Sequence, residues 1–168
     1  MGKKQLTLEP EYGNDAQFLY DKGFEVTCLD KSKEAKKYIE EANKNIKVTT
    51  ESFEDFILEK NEEKYDLIYS NFGIIFCNKD HIDELIYKIK NSLNTNGFFV
   101  GNFLGITDDW NDERHKEIKF FNQDEIINYF KEFKVFYISD KRYIKDSSKE
   151  KDKHWHVIEI YAQKNINN

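Results

Sequence analysis

No apolar run in the 168 residues approaches the roughly 20 needed to cross a bilayer. The opening Met1-Gly2-Lys3-Lys4 leads straight into a strand-like segment instead of a signal-peptide core, so neither a membrane anchor nor export is expected. Cysteine is scarce. Cys28 and Cys77 form no CxxC pair, which excludes a disulfide framework and a cysteine-based zinc site and fits reduced, buried thiols in a cytoplasm. Clustered cations are missing too: 26 Lys and Arg stand against 32 Asp and Glu, a net charge of -6 spread along the chain, and such a surface does not invite a nucleic-acid backbone. No nucleophile elbow, P-loop or paired-carboxylate acid/base motif is present. What the chain does have is bulk, with 14 Phe and 10 Tyr, enough to fill one core. A single domain over residues 1–168 is expected.

Short apolar or β-branched runs alternate with amphipathic stretches, the pattern of a parallel sheet. Strands are predicted at Lys4–Leu8, Phe24–Leu29, Ile46–Thr50, Asp66–Tyr69 and Phe98–Leu104. Helices are predicted at Asp15–Lys22, ended by Gly23, and from Ser32 to Asn43, where Ala35, Tyr38, Ile39 and Ala42 form one core-facing stripe. A further helix carries Ile82, Leu85, Ile86, Ile89 and Leu93 and ends near the Asn94-Thr95-Asn96-Gly97 turn, and Asn122 with Glu125 has capping-box spacing for the last one. Val135–Ser139 and His156–Ala162 read as an antiparallel pair joined by a charged segment, Lys145–Lys153, too polar to bury. The sum is a doubly wound, Rossmann-like α/β sheet, mostly parallel, with an antiparallel C-terminal hairpin.

The stretches Gly23-Phe-Glu-Val-Thr-Cys-Leu-Asp30, Ser52-Phe-Glu-Asp-Phe56, Lys64-Tyr-Asp-Leu-Ile-Tyr-Ser-Asn71 and Asn96-Gly-Phe-Phe-Val-Gly101 resemble class I S-adenosylmethionine-dependent methyltransferases, especially small bacterial ones of the tellurite-resistance type. Asp108-Asp-Trp-Asn111 and Lys153-His-Trp-His156 resemble the same group. The resemblance implies methyl transfer from S-adenosylmethionine to a small-molecule acceptor. It also implies a role for several residues beyond the strand ends, where open α/β sheets bind ligands. Asp30, with Lys31 beside it, would hold the ribose hydroxyls; as a plain structural residue Asp30 would cap the following helix. Ser52 and Phe53 would lie against adenine, or Phe53 and Phe56 would pack beneath a loop. Ser70, Asn71 and Phe72 would stand at the reacting edge, unless Asn-Phe-Gly is an ordinary exit turn.

The glycine loop of that family departs from its pattern here. Counting back from Asp30, Thr7 replaces the usual acid, Glu9 and Glu11 take the first two glycine positions, Gly13 alone survives, and Asn14-Asp15 match an Arg-Asp-like step. A reading shifted by a two-residue gap aligns Leu8-Glu9-Pro10 with the Leu-Glu-Pro of some adenine methyltransferases. Glycines there let the backbone adopt positive φ and approach the cofactor. Three outcomes stay open: a retained backbone path with weakened affinity, a loop remodelled around another ligand, or a site lost altogether. In the last case the chain is a non-catalytic binding or regulatory protein. A dinucleotide-binding domain is a weaker third reading.

The resemblance implies an N-terminal helical segment before the first strand, whereas this sequence opens almost at the strand, so either a missing lid or a homo-oligomer or partner that covers the site is expected. His154 and His156 flank Trp155 and share a strand face, as candidate bases or acceptor ligands, as metal ligands lacking companions, or as satisfied strand-end histidines. No metal is expected. Asp108 and Asp109 read as a solvated turn, and Trp110 as a lid over an acceptor.

Overall fold

The computed structural model describes residues 2–58, 63–147 and 150–165. In chain order the elements are β1 (Lys4–Leu8), α1 (Asn14–Asp21), β2 (Glu25–Leu29), α2 (Lys33–Ala42), β3 (Lys47–Thr49), α3 (Phe53–Leu58), β4 (Tyr65–Ser70), α4 (Ile82–Ser92), β5 (Leu93–Leu104), α5 (Gln123–Tyr129), β6 (Phe133–Ile144) and β7 (His154–Lys164). The seven strands form one sheet in the order β3-β2-β1-β4-β5-β7-β6. The pairs among β1 to β5 are parallel, and β7 runs antiparallel to both β5 and β6. This is the expected doubly wound sheet with its antiparallel end.

Two cores flank the sheet, as alternation along each strand demands. On one face Leu6, Ile68, Phe99, Phe103 and Ile160 meet Phe53 and Phe56 of α3, Leu85 and Ile89 of α4, and Ile126 of α5. On the other, Val26, Cys28 and Val48 pack against Ala16 of α1 and Ile39 of α2. Burial pushes both thiols up to about 12, so neither cysteine is a thiolate near neutral pH. The capping box of α5 forms in both directions, with the Glu125 amide donating to Asn122 and the Asn122 amide donating to Glu125, each at 2.9 Å. Among the described residues no helix is long and apolar enough to cross a membrane.

Several expectations need correction. Asn94–Gly97 does not close the helix as a free turn. It bulges inside β5, between the pairs Tyr65↔Leu93 and Leu67↔Phe98, with Asn96 in the left-handed region. No loop covers Phe53 and Phe56; they lie on α3 itself, which Ser52 opens because Ser52 and Asp55 cap one another: the Asp55 amide donates to the Ser52 hydroxyl and the Ser52 amide to the Asp55 carboxylate, each at 3.1 Å. The stripe read on α2 holds only at Ile39; Tyr38 is 62% exposed and Ala42 faces solvent, since so short a helix at the sheet's edge meets the core along one row.

The largest correction concerns charge. Asp108 is buried instead of solvated, and Lys153, in a segment read as too polar to bury, is 1% exposed. The two form a fully buried ion pair. The Asp108 carboxylate also accepts from the amides of Trp110 (3.0 Å) and His156 (2.9 Å). The Lys153 ammonium lies 3.7 Å from the Trp155 ring centre and 4.7 Å from that of Trp110. Burial is tolerable because every charge has a partner and two indole faces replace water around the cation.

Candidate functional site

The β1–α1 loop decides whether the altered glycine sequence keeps a glycine loop's shape. Glu9 and Glu11 both have φ of 50°, and Gly13 has φ of 78°. The backbone therefore takes the left-handed conformation at the three alternating positions where the family pattern puts glycine, although two of them carry side chains. Gly13 cannot be replaced as the glutamates replace their neighbours, because a Cβ there would stand 2.6 Å from Cγ1 of Ile39. The loop is pinned by its own backbone, the Glu9 amide to the Leu29 carbonyl and the Gly13 amide to that of Pro10, each at 2.8 Å.

Left-handed residues other than glycine cost about 1–2 kcal/mol each, part of which the greater unfolded-state freedom of glycine cancels. Glu9→Gly and Glu11→Gly are each expected to raise the stability read from urea unfolding by roughly 0.5–1 kcal/mol. At position 9 the gain is larger at pH 8 than at pH 5. Burial, then the neighbouring Asp30 carboxylate, push the Glu9 carboxyl from its ordinary 4.5 up to about 7, with Lys31 opposing. A carboxyl raised on folding holds its proton longer in the native state, so native stability falls as pH climbs from about 4.5 through 7. Equal gains at both pH values would show that Glu9 carries no such shift.

Glu9 and Asp30 share a cleft of about 650 Å³ beyond the carboxyl ends of β1 and β2. Asp30 is 3% exposed, and one carboxylate oxygen accepts from the Ser32 amide at 2.8 Å. The Asx turn and the ligand-facing position are compatible uses of one side chain, because the turn engages only Oδ1. Aromatic walls come from Tyr12 and Tyr38, in edge contact at 5.7 Å, and from Phe76. Sequence reasoning missed all three as site residues. Helical spacing reads Tyr38 as a core residue, and nothing in the local sequence marks Tyr12 or Phe76. Ser52 and Phe53 are not among the cleft's walls; Phe53 is 3% exposed in the main core. Of the two readings of Phe53, packing is the one its burial supports.

A second group sits where β4 ends. Asp15, at the start of α1, accepts from the Tyr69 hydroxyl (3.1 Å) and the Asn71 amide (3.3 Å). Asn71 accepts from Asn102 of β5 at 3.0 Å, and Asn102 in turn accepts from the Phe72 amide at 2.6 Å. One chain of hydrogen bonds thus ties the loop to the exits of β4 and β5. Ser70 is turned inward, its hydroxyl accepting from the Ile74 amide at 3.0 Å. Phe72, itself at φ 58°, packs on Trp155 with ring centres 5.4 Å apart.

Because β7 runs antiparallel, its first residues reach the same sheet edge, with Val157 opposite Leu104. His156 is buried there and bonded at both nitrogens. The Thr107 amide donates to Nδ1 at 3.1 Å, which puts the ring proton on Nε2, 3.0 Å from Asp140. The ring lies so close over Gly105 that a Cβ there would come within 2.2 Å of it. His154 is exposed and held to Asp109. Trp110, expected as a lid, is engaged by Lys153, by the stacked His115 ring at 5.1 Å and by Glu150, which accepts its indole N–H at 2.9 Å. Among the described residues no group of three or more His, Cys, Asp or Glu side chains could hold a metal ion.

This strand order, with an inverted β7 and a left-handed loop facing an acid at the end of β2, is the fold of the class I methyltransferases. The family model described as tellurite resistance protein TehB matches residues 2–156, and the chain belongs to that family. It is similar in structure to TehB from Haemophilus influenzae (TM-score 0.83, 18% identity), covering 96% of this chain and 57% of that one. The chain thus spans little more than half the length of the Haemophilus protein. A SAM-dependent methyltransferase from Methanosarcina mazei matches with TM-score 0.73 and 16% identity over 98% of this chain and 93% of the other. The N-methyltransferase NodS from Bradyrhizobium japonicum, in complex with S-adenosyl-L-homocysteine, matches with TM-score 0.72 and 12% identity over 97% and 78%. No curated protein sequence matches the chain.

Proposed function

We propose that the chain binds S-adenosylmethionine in the cleft beyond β1 and β2 and directs its methyl group to a small-molecule acceptor beside Asn71 and Phe72. The observation that carries this reading is the left-handed backbone at residues 9, 11 and 13, kept at the expense of strain in two glutamates. A loop under no demand to hold that path would relax. Membership of the TehB family, and the methyltransferase neighbours of the same fold, support the assignment.

The cofactor, when bound, supplies an electrophilic methyl group on a sulfonium. Asp30, one oxygen of which stays on the Ser32 amide, would accept ribose hydroxyl hydrogens in place of its contact with the Glu9 carboxyl, with Lys31 beside it. The loop backbone and the Asp15–Tyr69–Asn71–Asn102 network fix the reacting edge, so that rate comes from alignment instead of from a strong acid or base. Phe72, backed by Trp155, shields that edge from water.

One observation favours the second reading, a binding or regulatory protein that has lost the cofactor: Glu9 reaches the carboxylate that ribose would use. Thermal unfolding with either S-adenosylmethionine or S-adenosylhomocysteine separates the two. At about 100 times Kd, a ligand of the native state adds roughly 2.7 kcal/mol and raises Tm. No shift and no calorimetric heat with either compound at millimolar concentration would leave the regulatory reading standing alone.

A further inference from the structure

The loop puts carboxylates on a backbone path that glycines would leave bare, and it aims one of them at a second carboxylate. Glu9 is half-buried against Asp30, and Glu11 stands exposed at the rim of the same cleft. From α2, Glu34 and Glu41 face this space with a single cation, Lys37, and Lys31 follows Asp30. Tyr12 and Tyr38 add phenol rings, and none of the four histidines lines the cleft. The walls are therefore negative on balance, with the most deeply placed of the replaced glycine positions carrying a carboxyl group.

We infer that Glu9 is a specificity-determining residue that makes the cleft favour the cationic sulfonium donor over its neutral thioether product. The inference rests on the cleft being the S-adenosylmethionine site. The two ligands share adenine, ribose, α-amino group and carboxylate, and differ by one methyl and one formal positive charge at sulfur. Whatever the shared parts gain or lose cancels in the ratio of the two affinities. What remains is the interaction of the cleft's charges with the sulfonium. A carboxylate buried beside another carboxylate is attracted to that cation more than a surface acid would be, because it has less water around it and a like charge to offset.

The sign follows from titration. Glu9 takes up its proton near pH 7, far above an ordinary carboxyl. At pH 6 the residue is mostly neutral and the ratio of dissociation constants, thioether over sulfonium, is at its floor. At pH 8 it is ionised and the ratio rises. The screened attraction of one unit pair is expected to supply a factor of roughly five. The cation in turn lowers the Glu9 pKa, so the sulfonium ligand releases protons on binding near pH 7 and the thioether releases fewer.

Calorimetry on the full chain tests this, with S-adenosylmethionine and S-adenosylhomocysteine titrated separately at pH 6, 7 and 8 in buffers of different ionisation enthalpy. The ratio is expected to rise about fivefold from pH 6 to pH 8 in the natural sequence and to stay flat in Glu9→Gln, which keeps the side chain's shape. Glu11→Gln is expected to lower the ratio while leaving the pH-dependent rise in place. A ratio that does not change with pH in the natural chain, or that rises equally in Glu9→Gln, overturns the inference and leaves the cofactor site intact. Failure of both ligands to bind either protein overturns the inference and the cofactor reading together.

Discussion

Lys153→Met is expected to lower the free energy of unfolding by about 3 kcal/mol, and Asp108→Ala by more, about 4–5 kcal/mol, in urea titrations at neutral pH. The order follows from what each change leaves behind. Without Lys153, the Asp108 carboxylate still accepts from the amides of Trp110 and His156. Without Asp108, the buried His156 amide and the partly buried Trp110 amide lose their acceptor, and the ammonium keeps the indole faces of Trp155 and Trp110. Removing one partner of a buried pair costs far more than the pair contributes over apolar residues of the same size. Lys153→Met combined with Asp108→Ala is accordingly expected to lie well short of the summed single losses. Losses below about 1 kcal/mol for both single variants would mean that the pair behaves like a screened surface contact.

The consequences of this pair are not confined to stability. Asp108 holds the amide of His156, and Trp155 backs Phe72, so the cluster braces the edge at which an acceptor is proposed to enter. It closes the loop after β5 onto the start of β7.

Asp30→Ala is expected to weaken S-adenosylmethionine binding about 100-fold, the loss of two hydrogen bonds to a charged acceptor at roughly 1.5 kcal/mol each. Asp30→Asn separates the two uses of the side chain. An amide oxygen still accepts from the Ser32 amide, so the turn into α2 survives and unfolding stability changes little. The other carboxylate oxygen becomes an NH2 group, which donates instead of accepting and carries no charge, and binding is expected to fall by roughly tenfold. The same substitution removes the carboxylate that raises Glu9, whose carboxyl then titrates lower. Unchanged affinity in Asp30→Ala would remove Asp30 from the ligand site and leave it the acceptor of the turn that precedes Ser32, the N-cap of α2.

The fold was legible because its signals are local and repeated. Alternation of apolar runs with amphipathic ones needs only burial of one face per element, and the Asn122–Glu125 capping box needs only four consecutive residues. The family motifs carried the same information in separate segments, so no single altered loop could erase it. Asp30 and Asn71 could be singled out as candidates from their places after strands, which chain order alone specifies, and Asp15 from the loop motif it follows.

Other features depended on partners far apart in sequence. Asp108 and Lys153 read as surface charges because each is hydrophilic in its own neighbourhood; they are buried because β5 and β7 pair antiparallel and bring the two charges together between tryptophans. Phe53 could not be divided between adenine and core until α3 packed it against the sheet. Tyr12, Tyr38 and Phe76 became cleft walls only when three separate segments met. The sequence by itself determined that two glutamates stand where glycines belong. Only the tertiary structure decided that the backbone keeps the left-handed path regardless, because the hydrogen bonds to Leu29 and Pro10 and the packing of Gly13 on Ile39 hold it there.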